Sequence, residues 1–221
     1  DPGTTGHQRG LVARYRGPSD RLCRRTGIQL FLKGDRSYSD KSAIVKKAYP
    51  PGQHGGSYRQ KVSEYGLQLR EKQKVKYIYG LLEKQFRRTF AEASRRKGMT
   101  GENLLTLLER RLDNVVYRMG FAVSRPQARQ LVTHGHVMLN GKKANTPSQL
   151  VSIDDVVGIK EKSRTSPHVV GAMESSRRRS SLSWIQVDAN SFSGKFMAEP
   201  KREELTQPPI QEQLIVEYYS R

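Results

Sequence analysis

Apolar residues recur at helical spacing in the middle of the chain, and they predict its first clear helix. The repeat is close to one helical turn and consists of Leu82, Phe86, Phe90 and Ala93. The cationic positions outside this stripe are Lys84, Arg87, Arg88 and Arg95. One face of the helix is therefore predicted to pack and the other to be cationic. A helix before it is predicted to begin at Ser63, because serine is a favoured N-cap residue.

A second stripe predicts one further helix between Gly98 and Gly120. Its core face is Leu104, Leu108, Leu112, Val115, Val116 and Met119. A third helix is predicted to begin at Ser124, which has a capping-box partner in Gln127, and to turn Ala128, Leu131 and Val132 inward. Arg125 and Arg129 lie one turn apart on another face. We expect them to present two guanidiniums in a row, as a phosphate-binding surface would.

The pattern then changes to short strands. Asn140-Gly141 lies between two strand-like segments, and this dipeptide is the strongest local signal for a tight hairpin. Further strand-like pieces span residues 150–153 and 156–159, with Asp154-Asp155 as turn residues. A pair of helices followed by a small twisted sheet is therefore predicted here.

The C-terminal part is predicted to return to strands after one more helix. That helix spans about residues 166–176 and has Pro167 in its first turn. Residues 184–187 and 194–197 predict a second hairpin. The last segment, 211–219, is apolar enough to dock on the protein, and its pattern leaves helix and strand both open. The fold class predicted for the whole chain is α+β.

The charge of the chain indicates the kind of partner that it binds. The 221 residues include 40 Lys and Arg against 21 Asp and Glu, which gives a formal net charge of +19. A surface this positive repels itself unless it meets a polyanion. Nucleic acid and an anionic membrane would both attract it, but no apolar run approaches the roughly 20 residues of a membrane span. Nucleic acid is therefore the expected partner, and no membrane is expected.

The N-terminal region is predicted to depend on a partner for its order. Residues 13–61 contain 12 Lys or Arg against three Asp, with several turn signals. Residues 1–12 are polar and rich in glycine, so we expect a loose arm. The only cysteine is Cys23, which excludes an intramolecular disulfide and favours a reducing compartment.

Four co-linear blocks carry a resemblance to a known family. They are Ala13-Arg14-Tyr15-Arg16-Gly17-Pro18, Pro51-Gly52-Gln53-His54-Gly55, Leu69-Arg70-Glu71-Lys72-Gln73-Lys74, and Arg111-Leu112-Asp113-Asn114-Val115-Val116-Tyr117-Arg118-Met119-Gly120-Phe121. The closing Tyr218-Tyr219-Ser220-Arg221 continues them. The chain resembles the family of the fourth small-subunit ribosomal protein, in its bacterial or organellar form.

The resemblance implies a fold and a place of work. Residues 13–106 with 179–221 would form a discontinuous, mainly helical rRNA-binding domain with C-terminal strands. Residues 107–178 would be an inserted helix-loop-sheet RNA-binding module. It further implies binding to the 5′ domain of small-subunit rRNA at a multi-helix junction, early assembly of the subunit, a position at the mRNA entry channel, and a part in translational accuracy. The fifth and third small-subunit proteins are implied neighbours, and the ribosome of a bacterium or an organelle is the implied location, with no enzymatic activity and no small-molecule substrate.

The family also implies which residues meet RNA. Those expected to contact rRNA are Arg14, Tyr15, Arg16, Arg21, Arg24, Arg25, Lys33, Arg36, Lys46, Lys47, Gln53, His54, Arg70, Lys72, Lys74, Lys76, Arg111, Ser124, Arg125, Gln127, Arg129, Gln130, His134, Asn140, Lys142 and Lys143. Arg59 and Lys61 resemble basic residues that the family turns toward incoming mRNA. The run at 177–179 is either an RNA contact or a solvated linker.

A departure from the family concerns metal. Some members hold a structural zinc with four cysteines, and the matching positions here are Asp20, Cys23, Ser37 and Ser42. Zinc needs close to four good ligands, and serine is a poor one. We therefore expect no metal and no other cofactor, and we expect turn hydrogen bonds and rRNA to hold this segment.

Two other functions remain to be weighed against ribosomal RNA binding. An RNA-modifying enzyme would use a similar module beside a catalytic domain, but no catalytic Asp or cored sheet is recognisable outside it. A free-standing RNA binder would leave the N-terminal blocks unexplained. His54 has no nucleophile at a recognisable spacing, and His134 with His136 lack further ligands nearby. Tyr77, Tyr79 and Tyr117 could stack on bases, but their helical spacing favours core packing.

Overall fold

The computed structural model describes residues 14–56, 61–176, 182–205 and 208–220. In chain order the helices and strands are α1 (Ser19–Thr26), a 3-10 helix (Gly34–Tyr38), α2 (Ala43–Lys46), α3 (Glu64–Ile78), α4 (Glu83–Arg95), α5 (Thr100–Glu109), α6 (Leu112–Arg118), α7 (Arg125–Thr133), β1 (Val137–Leu139), β2 (Lys142–Ala144), β3 (Val156–Ile159), α8 (Glu161–Arg164), α9 (Pro167–Ser176), β4 (Ile185–Asp188), β5 (Ser193–Phe196), a 3-10 helix (Arg202–Glu204) and α10 (Glu212–Tyr219). The fold is α+β, as predicted. In the part of the chain covered by these ranges, no helix combines the length and the apolar character needed to cross a membrane.

The first core is helical. It joins α1, α3, α4 and α5 to the C-terminal segment, with Val75, Phe86 and Leu104 fully buried at its centre. Ser63 caps α3 as predicted, since its hydroxyl accepts a hydrogen bond from the Gly66 amide at 3.2 Å.

The C-terminal segment is a helix, which answers the question left open by its pattern. The Glu71 carboxylate accepts from the Gln211 amide at 2.7 Å, at the start of α10. At the other end of α10, the Tyr219 ring stacks on Phe90 with 4.4 Å between ring centroids. Docking on α3 and α4 therefore selects the helix, because it satisfies the terminal amide and buries the aromatic face.

The prediction of a single helix between Gly98 and Gly120 is wrong, because the chain forms two helices there, α5 and α6. At the break, the Val151 amide donates to the Arg110 carbonyl at 2.8 Å, and the Leu112 amide donates to the Gln149 carbonyl at 2.8 Å. Arg111 and Leu150 form an isolated antiparallel bridge. The strand predicted at 150–153 is reduced to this bridge. Backbone pairing with a distant segment replaces the helical hydrogen bonds, and no helical periodicity records that exchange.

The second core lies under one antiparallel sheet with the strand order β2-β1-β3-β5-β4. Asn140 and Gly141 both have positive φ, 50° and 76°, as a two-residue type I′ hairpin turn requires. The predicted hairpin of β1 and β2 is thereby confirmed, and so is the strand at 156–159.

The C-terminal strands belong to this same sheet. We expected them within the helical domain, but β5 pairs with β3 in the register Val157↔Gly194. Trp184 and Phe196 are buried in the second core. Gly194 allows β5 to pack closely against Met119, since a Cβ at this position would lie 2.8 Å from the Met119 sulfur. The location expected for these strands is therefore corrected, while the bounds of the inserted RNA-binding module at residues 107–178 stay a prediction.

Candidate nucleic-acid interface

A groove of about 560 Å³ lies where the N-terminal segment, the α3–α4 turn and the start of α7 meet, and we call it the junction groove. Its cationic lining residues are Arg14, Arg16, Lys76, Arg125 and Arg129, and its aromatic ones are Tyr15, Tyr77 and Tyr79. Six of these eight were expected to contact RNA. The groove draws together residues separated by more than a hundred positions in sequence.

The outer wall of the junction groove is the segment before α1. Gly17 is needed there, because a Cβ at this position would lie 2.4 Å from the Tyr15 hydroxyl oxygen. The segment is followed by α1, whose Arg24 donates to the carbonyls of Tyr49 at 3.0 Å and Pro50 at 3.3 Å. Arg24 therefore connects α1 to a distant loop. Arg16, in the segment before α1, is exposed at the rim of the junction groove.

Beneath the groove lies a fully buried carboxylate, Glu109, at the end of α5. It accepts hydrogen bonds from the Tyr79 hydroxyl at 2.6 Å, the Asn114 amide at 2.5 Å and the Arg118 guanidinium at 2.7 and 2.9 Å. The Arg125 guanidinium lies 3.9 Å away. These five residues come from α3, α5, α6 and α7, so the cluster joins the two cores. We call it the Glu109 cluster.

The charges of this cluster stabilise one another. Burial raises the pKa of the Glu109 carboxyl, but Arg118, Arg125 and Tyr79 together outweigh burial and bring that pKa down to about 2. Burial, followed by the Glu109 charge, raises the pKa of the Tyr79 hydroxyl. Tyr79 therefore keeps its proton and donates a hydrogen bond to an ionised Glu109 at neutral pH.

Arg125 is not the outward-facing cation that we expected. It is 8% exposed, donates to the Asn114 side-chain oxygen Oδ1 at 2.7 Å, and lies over the Tyr117 ring at 4.6 Å from its centroid. Arg129 is also engaged, since its guanidinium lies 3.2 Å from the Asp113 carboxylate. The prediction of two free guanidiniums in a row is therefore corrected. The helix face is turned toward the acidic residues of α5 and α6, because buried cations need partners.

Three lysines of α3 and Arg111 were also expected to contact RNA, and they too have internal partners. Lys72 and Lys76 both bind the Glu83 carboxylate, at 2.8 and 3.0 Å, and Lys74 pairs with Glu71 at 2.5 Å. Burial raises the pKa of the Glu83 carboxyl, but the two lysines outweigh burial and lower it to about 2.

Arg111 is buried and pairs with the Asp113 carboxylate at 2.8 Å. At the edge of the same region, Lys33 pairs with Asp20 at 2.6 Å, although both side chains are partly exposed. Basic residues with such internal partners contribute to the shape of the protein before any RNA contact.

Another group of expected RNA contacts is exposed and forms no ion pair among the described residues. Its members are Arg16, Arg21, Arg25, Arg36, Lys46, Lys47, Arg70, Lys142 and Lys143. Arg14 is half-buried in the groove wall. Cations of this kind can neutralise phosphates without first breaking an internal pair.

A further cationic surface was visible in the sequence pattern but was absent from the residues we expected to contact RNA. Lys84, Arg87, Arg88 and Arg95 are all exposed on α4, opposite the buried Phe86 and Ala93. We call this the α4 stripe. The signal was the cationic side of an amphipathic helix, which by itself is typical of any solvated face.

The polar residues of the module that were expected to contact RNA also divide into those with internal hydrogen bonds and those that are exposed. Asn140 is occupied by the sheet, since its side chain bonds the Asp155 carboxylate at 2.7 Å and the Val156 amide at 2.8 Å. Ser124 caps α7, and the Gln127 side chain accepts from the Val123 amide at 2.7 Å. Gln130 is exposed on the same helix.

Of the remaining expected residues, some are exposed and others lie outside the described residues. Tyr15, Gln53, His54, Lys61 and His134 are exposed. Arg59 and the run at 177–179 are not among the described residues. Tyr79 and Tyr117 are buried, which confirms core packing for these two tyrosines.

The positions that match the family's zinc cysteines are Asp20, Cys23, Ser37 and Ser42, and they line one small cavity. Gln29 links them, because its side-chain amide donates to the Ser37 carbonyl and to the Ser42 hydroxyl. Burial raises the pKa of the Cys23 thiol. One neutral thiol, one carboxylate and two hydroxyls suit a hydrogen-bonded cluster and make a poor zinc ligand set.

Comparison with known proteins covers both cores. The model of the ribosomal protein S4/S9 N-terminal domain matches residues 14–109, and the model of the S4 domain matches residues 110–157. A protein of Pelobacter propionicus named small ribosomal subunit protein uS4 is 59% identical over 210 residues, which are 95% of this chain and 100% of that protein. Proteins with the same name from Desulfitobacterium hafniense and Natranaerobius thermophilus are 58% and 57% identical over the same shares.

The two matched models meet between Glu109 and Arg110, where the Glu109 cluster joins the two cores. Identity at this level over nearly the whole chain leaves no room for an unrelated fold. The chain belongs to the uS4 family of small ribosomal subunit proteins.

Proposed function

We propose that the chain binds the 5′ domain of small-subunit rRNA at a multi-helix junction, through the junction groove and the exposed cations around it. Its family consists of structural, RNA-binding proteins of the small ribosomal subunit and is not enzymatic. The chain is accordingly a ribosomal constituent, in a bacterium or an organelle. The finer statement about where it binds is our proposal.

The observation that carries the proposal is the division of the basic residues into two groups. Buried cations such as Arg111 and Arg125 lie beside carboxylates and hold the groove in shape. Exposed cations such as Arg16 and Arg25 have no ion-pair partner among the described residues. Unpaired surface cations release counterions from RNA, and a preformed groove can recognise the shape of folded RNA.

The two walls of the groove support the proposal that it binds a junction of RNA helices. Its walls come from both cores, and the Glu109 cluster fixes one wall relative to the other. An RNA that fits must place phosphates on two sides at once, which a single duplex with uniform geometry does less well. We therefore propose early binding in assembly, since such a protein would stabilise the junction before later components arrive.

The test is a salt series on the native 5′ rRNA domain and on a scrambled RNA of equal length. We expect the native RNA to bind tighter by orders of magnitude. The Arg16→Ala, Arg25→Ala double variant should reduce the slope of log K against log salt by about 1.5, which is two phosphate contacts. The control is Lys195→Ala with Lys201→Ala, which removes two positive charges at positions that do not line the junction groove. Equal binding of both RNAs would overturn the ribosomal assignment.

Two finer roles rest on the family resemblance. We propose that Lys61, exposed before α3, faces the mRNA entry channel together with Arg59. We also propose contact with the fifth small-subunit protein through the C-terminal segment, where from Ala198 onward five acidic residues stand against three basic ones, with an effect on accuracy. Glu204 accepts two hydrogen bonds from Ser183, whereas Glu203 is exposed. Glu203→Lys is therefore the cleaner charge reversal, and unchanged misreading in reconstituted subunits would count against this role.

A further inference from the structure

A second pocket, of about 400 Å³, lies on the far side of α7 from the Glu109 cluster. We call it the histidine pocket, and its principal lining residues are Gln130, His134, His136, Lys162, Ser163 and His168. One wall is the end of α7 and the start of β1. The other wall is α8 and the start of α9, which lie beyond residue 157, where the matched S4-domain model ends.

The pocket is built before any ligand arrives. The His136 Nδ1 atom lies 2.9 Å from the Ser163 hydroxyl, which fixes the ring across the two walls. The Lys160 amide donates to the His136 carbonyl at 2.9 Å and holds α8 against β1. Val169, next to His168, is fully buried in the second core and anchors α9. The imidazoles are therefore carried on a rigid frame.

The chemistry of the lining selects the class of ligand. The rings of His134 and His136, which both line the pocket, have centroids 6.2 Å apart and planes tilted by 44°. Imidazole faces stack on unpaired bases, and a side-chain amide such as that of Gln130 can read a base edge. Lys162 supplies positive charge for a phosphate.

The lining also argues against other ligands. No carboxylate is among the residues that line the pocket. Across the described ranges, no group of three or more histidine, cysteine or acidic residues is arranged to hold a metal ion. An acid-free, partly basic pocket of this size, with stacking faces, suits an anionic ring compound better than a cation.

We propose that the histidine pocket binds one unpaired RNA nucleotide turned out of its helix, with an imidazole against the base and Lys162 near the phosphate. The proposal rests on the proposed function for its RNA partner, but it assigns a separate site with its own specificity. The junction groove would recognise shape and phosphates, while the histidine pocket would recognise one base.

The test uses the full chain with labelled histidine side chains, observed by NMR. The sequence has five histidines, and His54 serves as an internal control because it does not line the pocket. The probes are the four ribonucleoside 5′-monophosphates, ribose 5-phosphate and inorganic phosphate. We expect saturable shifts of the His134, His136 and His168 signals with the nucleotides, affinities that differ among the bases, and weaker effects of the two probes that lack a base.

Variants separate the pocket from its surroundings. Gln130→Ala and His168→Ala should each weaken mononucleotide binding by about tenfold, the loss expected for one stacking or base-edge contact. Val170→Ala, at an exposed position of the same helix α9, should leave binding unchanged. Unaltered signals of His54 would show that the variants remain folded.

Either of two results would overturn the proposal. Equal shifts with inorganic phosphate and with nucleotides would show an anion site without base recognition, and absence of shifts would show no site. Failure of the salt-series test with mononucleotide binding intact would instead overturn the proposed function and leave the pocket standing. The two outcomes are therefore distinguishable.

Discussion

Glu109 shows how much a single residue can contribute to the junction between the two cores. It is fully buried, and its four partners come from three other helices. Removing one partner of a buried charge network leaves the others unpaired, which costs more than the network contributes as a whole. The residue is therefore a determinant of groove geometry, although it does not line the groove.

We expect Glu109→Gln to lower the free energy of unfolding by about 3 to 5 kcal/mol, because Arg118 and Arg125 would keep their charges without a counterion. Urea denaturation is the measurement. Glu102→Gln removes an exposed carboxylate from the same helix and should change stability by less than about 0.5 kcal/mol. Equal effects of both substitutions would contradict a buried network.

The same residue predicts a pH dependence. The pKa of Glu109 is lowered from its ordinary value of 4.5 to about 2 in the folded protein. Its contribution is therefore fully present above pH 4.5 and is lost as the pH falls from 4.5 toward 2, because the unfolded chain binds the proton first.

Comparison with Glu109→Gln isolates this effect from that of Glu83, whose pKa is also lowered to about 2. The stability difference between the native chain and Glu109→Gln should shrink through this window when unfolding is measured at successive pH values. A difference that stays constant down to pH 2 would show that Glu109 carries no ionisation-linked stability.

At the scale of elements, one face of a helix can pack in the core while its opposite face is available for binding. Helix α4 buries Phe86 and Ala93, and the α4 stripe covers its opposite side without an ion pair to Lys84, Arg87 or Arg88 among the described residues. Helix α10 uses its face differently, since Tyr219 closes over Phe90 and completes the first core. The exposed charge of α4 is therefore free to meet a phosphate backbone.

We expect Lys84→Ala with Arg88→Ala to weaken binding to the native 5′ rRNA domain and to reduce the salt slope by about 1.5, because two phosphate contacts are lost. The free energy of unfolding should stay within about 0.5 kcal/mol, since both side chains are exposed. Fluorescence anisotropy at several salt concentrations measures the first quantity. An unaltered slope would identify the stripe as a solvated face.

At the scale of the whole molecule, a net charge of +19 opposes the compact state when RNA is absent. The ion pairs within the first core and at the junction use part of this charge, and the exposed remainder surrounds them. Salt should therefore act in opposite directions on the free protein and on its complex.

We expect the melting temperature of the free chain to rise between roughly 0.1 M and 1 M salt, where the Debye length falls from about 10 Å to about 3 Å. Over the same range, affinity for rRNA should fall steeply. Differential scanning calorimetry and binding measurements on one preparation test both statements. A melting temperature that falls with salt would mean that internal ion pairs outweigh self-repulsion.

The sequence by itself determined the features that depend on neighbours along the chain. The helical stripe of α4, the cap at Ser63 and the Asn140-Gly141 turn are local, because their hydrogen bonds join residues within about four positions. Net charge and the co-linear blocks are likewise readable without coordinates, and they led to the family and to an RNA partner.

The tertiary structure decided what depends on distant segments. The helix break at Arg111 follows from pairing with residues 149–151, and the inward turn of Arg125 follows from a buried Glu109. The pairing of β5 with β3 and the helical conformation of α10 also depend on contacts between segments that are distant in sequence. Long-range contacts leave no periodic trace in a sequence. The sequence shows which residues are basic. Only the fold distinguishes the basic residues that shape the groove from those that remain exposed and can contact RNA.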